Sequence, residues 1–443
     1  MRRRAVAALL GACLAVSAAA LVAPAQAAAA TGFGALSASE QYGQQMIFST
    51  SLTGTTPDQV QILLQFGPNP DSTYVAPATV SGSTVSYSWD ASSNYVTPNT
   101  SIRFRFRALT GGSASVSPAA TLLYADNRPG LDWQSATYGQ AVVHWYGTEG
   151  TEAQRFGSLT SGAVSRAEQT LGHSLDGPID IFVYDTQSQF FGALGPTARE
   201  WTGAATFPNI RTVFMWLQGF SSSTDLDRTL THEVTHVVFG DATANPYHAP
   251  ATWFNEGFAV WSEQQNATSE AATVRAAVSS GLFSFDALTG SFPIGAQSAL
   301  LAYAEGATMV DYIITNYGRA AMARIAAAYR AGSTDAVALQ AGTGIPATQL
   351  YTDYFRSFGT TEPQPVAAAT IGPSVVQTGS NASAQPATTG SAGASATVSP
   401  SPSSAEATAI ANGVLGWVTI LAFLVVVGTG VVWYLLRLRS PRA

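Results

Sequence analysis

Ile102, Phe104 and Phe106 alternate with Arg103, Arg105 and Arg107. A period of two puts apolar side chains on one face of a strand and guanidinium groups on the other. Similar short apolar runs occur at Gln45–Ser51, Val60–Phe66, Val85–Trp89 and Thr121–Tyr124, with turn-forming residues between them. About six such strands in roughly 95 residues predict an all-β, immunoglobulin- or fibronectin-like sandwich over residues 31–126. The three Arg read as a solvated outer face rather than a binding stripe. No catalytic constellation falls in this region, so its expected part is that of a spacer or docking module.

Near Asn127 the pattern changes. Val142–Tyr146, Ile179–Tyr184 and Val213–Leu217 read as strands, with a helix at Glu152–Leu171 between the first two. Beyond Glu263 the period is helical, over Glu270–Ser279, Ser298–Tyr317, Ala320–Ala331 and Ala347–Phe358. The mixture predicts an α+β domain over residues 127–360.

The two ends have other textures. Arg2, Arg3 and Arg4 precede an apolar run from Ala5 to Val22, and Ala25-Gln26-Ala27 offers a small-residue cleavage site. Residues 1–27 therefore read as a secretory signal peptide. Leu10-Gly11-Ala12-Cys13 also resembles a lipoprotein cleavage box, although the apolar run continues well past Cys13. From Thr361 to Asn412 the chain is Ala, Ser, Thr, Pro and Gly with Glu362 and Glu406 as its only charges, a composition that predicts a disordered stalk over 361–412. Val414–Leu436 is uncharged and apolar for 23 residues, enough to span a bilayer as one helix. Trp417, Trp433 and Tyr434 suit its interfaces, and Arg437, Arg439 and Arg442 mark residues 437–443 as a cytoplasmic tail. The expectation is a single-pass cell-membrane protein with its folded part outside.

Composition then removes some classes. Cys13 is the only cysteine, so a mature chain has no disulfide, cysteine ligand or thiol nucleophile. Without the three Arg of the signal and the three after residue 436, 14 basic residues face 27 acidic ones. Such a surface does not suit nucleic acid or anionic lipid.

The candidate chemistry lies between Thr231 and Glu263. His232 and His236 are four apart, so on a helix both imidazoles share one face, and Glu233 stands between them. Nineteen residues separate His236 from Glu256, which opens the next apolar helical segment. Two His and one Glu can hold one zinc ion per chain and leave a fourth position for water. Glu263, seven residues after Glu256, falls on the same helix face. It reads either as a carboxylate that orients a ligand histidine or as a surface carboxylate. His144, His173 and His248 lack ligand spacing and read as structural, with His248 the one close to the Glu256 segment.

Trp253-Phe254-Asn255-Glu256-Gly257-Phe258-Ala259 resembles the W-L-N-E-G-F-A segment of gluzincin metallopeptidases, including the aminopeptidase N family. Shorter secreted peptidase MA-like proteins look like the nearest relatives. The resemblance implies an α+β, thermolysin-like zinc peptidase domain whose sheet ends in an edge strand beside the His-bearing helix. In such proteins that strand pairs with substrate backbone. It implies zinc on His232, His236 and Glu256, with Glu233 as the base that activates water. Tyr303-Ala304-Glu305-Gly306 resembles the family's Y-E-K-G segment, whose Tyr donates to the oxyanion, so Tyr303 takes that expected role. One departure matters: where aminopeptidase N relatives carry G-x-M-E-N, with a Glu for the substrate's amino group, this chain has Gly203-Ala204-Ala205. That favours an endopeptidase acting on peptides or proteins. Two other classes stay open: a cell-surface adhesion or wall-binding protein with an inactive zinc domain, and a zinc hydrolase of other substrates.

Overall fold

The computed structural model describes residues 31–363 apart from 69–71, 148–149, 196–202, 221 and 294. The signal peptide, residues 364–412 of the stalk, the Val414–Leu436 segment and the tail lie outside the described residues. Among the described residues no helix is long and apolar enough to cross a membrane.

Ten strands fill the first part. One sheet holds β1 (Gly32–Phe33), β2 (Ser37–Gln41), β3 (Gln45–Thr53), β6 (Thr79–Ser81) and β7 (Thr84–Asp90). The other holds β4 (Gln59–Phe66), β5 (Tyr74–Pro77), β8 (Thr100–Thr110), β9 (Ser113–Val116) and β10 (Ala120–Tyr124). Met46, Phe48 and Val85 of the first sheet form one core with Val60, Ile62, Leu64, Ile102, Phe104 and Phe106 of the second. The outer face of β8 is a ladder with β4, in which Arg103 donates to Gln65 (3.1 Å) and Arg107 to Gln61 (2.8 Å). Pairing within one sheet already engages both guanidinium groups.

The second part is built on one five-stranded sheet. Its members are β11 (Gln134–Tyr138), β12 (Ala141–Trp145), β13 (Ile179–Tyr184), β14 (Ala204–Phe207) and β15 (Thr212–Trp216), in the order β11-β12-β13-β15-β14. The β12-β13 and β13-β15 pairs are parallel, and β14 runs antiparallel to β15 at the edge. The expected strand at Val213–Leu217 is β15, which lies inside the sheet, and the edge belongs to β14. The helices are α1 (Gly150–Leu171), α2 (Gln187–Leu194), α3 (Ser223–Thr243), α4 (Thr252–Gln264), α5 (Thr268–Ala277), α6 (Ala296–Tyr317), α7 (Arg319–Arg330), α8 (Asp335–Thr343) and α9 (Ala347–Ser357). One large core joins α1, α3, α4, α6, α7 and α9 to the sheet through Val164, Val234, Phe258, Val310, Met322, Tyr354 and Val213.

The two parts are tied by polar contacts. Asn99 Nδ2 donates to Asp180 Oδ2 (3.1 Å) and Thr212 Oγ1 (2.9 Å), and the Tyr95 hydroxyl donates to the carbonyl of Ala193 at the end of α2 (2.7 Å).

Candidate active site

Helix α3 is capped by Ser222, whose side chain accepts the Asp225 N–H at 3.1 Å, satisfying one free donor of the first turn. From Leu230 to Phe239 every residue of α3 is buried. A helix enclosed on all sides can carry polar groups only where they find partners inside. Helix α4 is enclosed in the same way from Thr252 to Ser262. It lacks a capping side chain, and the Thr289 and Leu288 carbonyls take its Thr252 and Trp253 N–H groups instead.

The two helices bring His232, His236 and Glu256 together, with one ligand atom of each within 4.8 Å of the others. His232 Nε2 lies 3.0 Å from His236 Nε2, and each is 3.5 Å from Glu256 Oε2. The far nitrogens are engaged: His232 Nδ1 meets Glu263 Oε1 at 3.0 Å, and His236 Nδ1 meets Asn255 Oδ1 at 3.0 Å. Both partners are acceptors, so each imidazole keeps its proton on Nδ1 and turns an Nε2 lone pair inward. Glu263 is fixed in turn by Arg228 (2.8 Å). Of the two roles open to Glu263, the geometry supports the one that orients His232.

Three lone pairs converging in a buried space repel one another unless a cation sits between them. Donors about 2.0 Å from one tetrahedral ion stand about 3.3 Å apart, close to the spacings found here. Both carboxylate oxygens of Glu256 are buried without a hydrogen-bond partner, a costly state for an unpaired anion. Burial alone would raise the Glu256 pKa, yet His236 and His232 hold it down to about 2. On His232 burial opposes charge, but Glu256 and Glu263 outweigh it and push the pKa up to about 10, so without a metal a proton on Nε2 stands in for the cation, and a bound metal would displace it. A centre this hungry for positive charge fits zinc, with His232, His236 and Glu256 as the residues that would hold it.

Glu233 follows His232 on α3 and interacts electrostatically with both histidines and with Glu256. Its Oε2 accepts from Thr206 Oγ1 of β14 at 2.6 Å, and its Oε1 is buried without a partner. Burial raises its pKa, against the pull of His232, His236 and Thr206.

Tyr303 of α6 is 4 % exposed, and its ring packs edge-on against Phe292 at 4.8 Å. Burial first, then the charges of Glu256 and Glu233, raises its phenol well above the usual range, which places it within electrostatic reach of both. Two glycines allow that approach. A Cβ on Gly257 would lie 2.3 Å from the Gly306 carbonyl carbon, and one on Gly306 would lie 2.6 Å from the Trp253 oxygen. Backbone touches backbone where α4 crosses α6, next to Glu256 and about one turn from Tyr303.

The other histidines stand apart from this cluster. His144 pairs with Asp180 (2.7 Å) and stacks on Phe182, His173 pairs with Asp241 (2.6 Å), and His248 Nδ1 meets the Ala249 carbonyl (3.2 Å). Sequence reasoning gave no role to Asn255, Arg228 or Thr206. Asn255 stood beside Glu256 in the motif and could have been found there; Thr206 carried no signal.

Residues 159–358 match the family model described as Peptidase MA superfamily. No curated protein matches the chain. Among solved structures, an aminopeptidase N family protein from Idiomarina loihiensis is 10% identical, with 75% of this chain and 72% of that one covered, at a TM-score of 0.32. A bromine derivative of BhCBM56 is 11% identical over 20% of this chain and 88% of that one, at a TM-score of 0.17.

Proposed function

Because residues 159–358 match the peptidase MA superfamily, we propose that the chain is a zinc-dependent endopeptidase held at the cell surface. The observation that carries this reading is the convergence of His232, His236 and Glu256 beside a buried carboxylate, Glu233, that is not one of the three. A purely structural metal site has no use for that fourth group.

When bound, zinc would lower the pKa of a coordinated water towards about 7 and polarise the scissile carbonyl. Glu233 takes the water's proton and later delivers it to the leaving amine. Glu263 and Asn255 hold the two imidazoles in the tautomer that presents Nε2. The Tyr303 hydroxyl donates to the developing oxyanion. Endopeptidase action is favoured by the edge strand itself, since Ala204-Ala205-Thr206-Phe207 has no carboxylate to hold a free amino terminus.

The cell-surface location rests on the sequence at the two ends, residues 1–27 and Val414–Leu436. The sandwich, read as immunoglobulin-like, serves as a spacer between the peptidase domain and its surroundings. Digestion of a peptide library by the purified chain tests the reading. Internal cleavage that a chelator abolishes and added zinc restores is expected; release of single amino-terminal residues contradicts the endopeptidase assignment, and no cleavage contradicts the peptidase.

A further inference from the structure

We infer that Thr206 is a positioning residue for Glu233: its hydroxyl holds Oε2 and leaves Oε1 as the single free oxygen of the base. The inference rests on the reading of Glu233 as the group that takes the proton from water.

Thr206 is 1 % exposed and sits in β14, paired with Val213 of β15. Its Oγ1 is 2.6 Å from Glu233 Oε2 and 3.2 Å from the Glu233 backbone oxygen. One hydroxyl thus faces two acceptors of one residue and ties the edge strand to the middle of α3. A free Glu side chain has three torsions, and fixing them costs conformational entropy. Anchoring one oxygen removes that cost before the substrate arrives. Threonine suits the task because its branched Cβ restricts χ1 and a paired strand fixes its backbone. The opposite oxygen is buried without a partner, so the anchor also decides which oxygen stays available.

A merely structural Thr would fill space between strand and helix, and valine would fill it equally well. In the full chain, Thr206→Val should lower kcat about 10–100-fold with KM within about threefold, and Thr206→Ser should return kcat to within about threefold of wild type. Zinc content should stay at one per chain in both. A double-mutant cycle reads the contact without activity. Thr206→Val should change the unfolding equilibrium about tenfold in wild type and less than about twofold in a Glu233→Leu background. Full kcat in Thr206→Val overturns the inference and leaves the peptidase reading intact. Equal losses in Thr206→Val and Thr206→Ser also overturn it, since the packing of the whole side chain and not the hydroxyl alone would then matter. A wild type that cleaves no peptide sinks both.

Discussion

Two kinds of histidine–carboxylate arrangement exist in this molecule. His144 with Asp180 and His173 with Asp241 are complete pairs near the surface, with 19 % and 20 % of the imidazole side chains exposed. None of their polar atoms is buried and unpartnered. His232 and His236 keep 3 % and 1 %, and the Glu256 beside them keeps none. There the carboxylate oxygens lack hydrogen bonds and the two imidazole Nε2 atoms face one another at 3.0 Å. The reacting groups, imidazole and carboxylate, are the same in both regions. What differs is the balance of donors: the outer pairs are finished by the protein, and the inner cluster is compatible with an ion between its ligands.

The strongest way to break the comparison is to remove an inner ligand. Glu256→Ala should lose the bound zinc and nearly all hydrolysis, whereas His173→Ala should keep both. Full zinc in Glu256→Ala, by metal analysis of the purified chain, would place the third ligand elsewhere. Next in size is Tyr303→Phe, which keeps the ring against Phe292 and removes one donor. Steady-state kinetics on one peptide should show kcat reduced about 10²–10³-fold with KM little altered; a change of only a few-fold would make Tyr303 a core residue. Smaller again is Asn255→Ala. Freeing His236 Nδ1 should weaken zinc binding about 10–100-fold, measured by competition with a chelator, and an unchanged affinity would remove Asn255 from the site.

The least effect on catalysis, and a distinct one on stability, belongs to Glu305. It is fully buried, accepts only the Phe283 N–H at 2.9 Å, and burial pushes its pKa up to about 8. The folded state therefore keeps a proton that the unfolded chain gives up near pH 4.5. Stability should be highest below that pH as far as this group decides, and should fall as the pH rises through about 8. The loss is on the order of 3–5 kcal/mol, at about 1.4 kcal/mol per tenfold change in proton affinity. Glu305→Gln should flatten that slope in denaturant melts between pH 5 and 9; an unchanged slope would assign it to other groups.

What the sequence revealed depended on whether a contact is local. His232 and His236 are one helical turn apart, and Glu256 sits in a motif with a known spacing, so all three were legible. The β8 alternation was legible because one face of Ile102–Ala108 packs inward. Strand β14 was not, because all four of its residues are buried and no period survives. Strand β6 is exposed at all three positions and hid for the opposite reason. Helix α8, Asp335–Thr343, is short and rich in Ala and Gly and left no apolar stripe to read. The Thr206–Glu233 bond and the Gly257–Gly306 crossing join residues 27 and 49 positions apart, and only the fold brings them together. Tyr303 was named from its motif, yet its reach to Glu256 depends on that glycine crossing.

The most direct test of the account is Glu233→Gln, assayed for zinc, fold and peptide hydrolysis in one preparation. On the proposed reading Glu233 moves a proton and does not hold the ion. The variant should keep one zinc per chain and the wild-type melting profile while kcat falls about 10²–10⁴-fold. A variant that cleaves as fast as wild type, or a wild type that binds no zinc, would contradict the account.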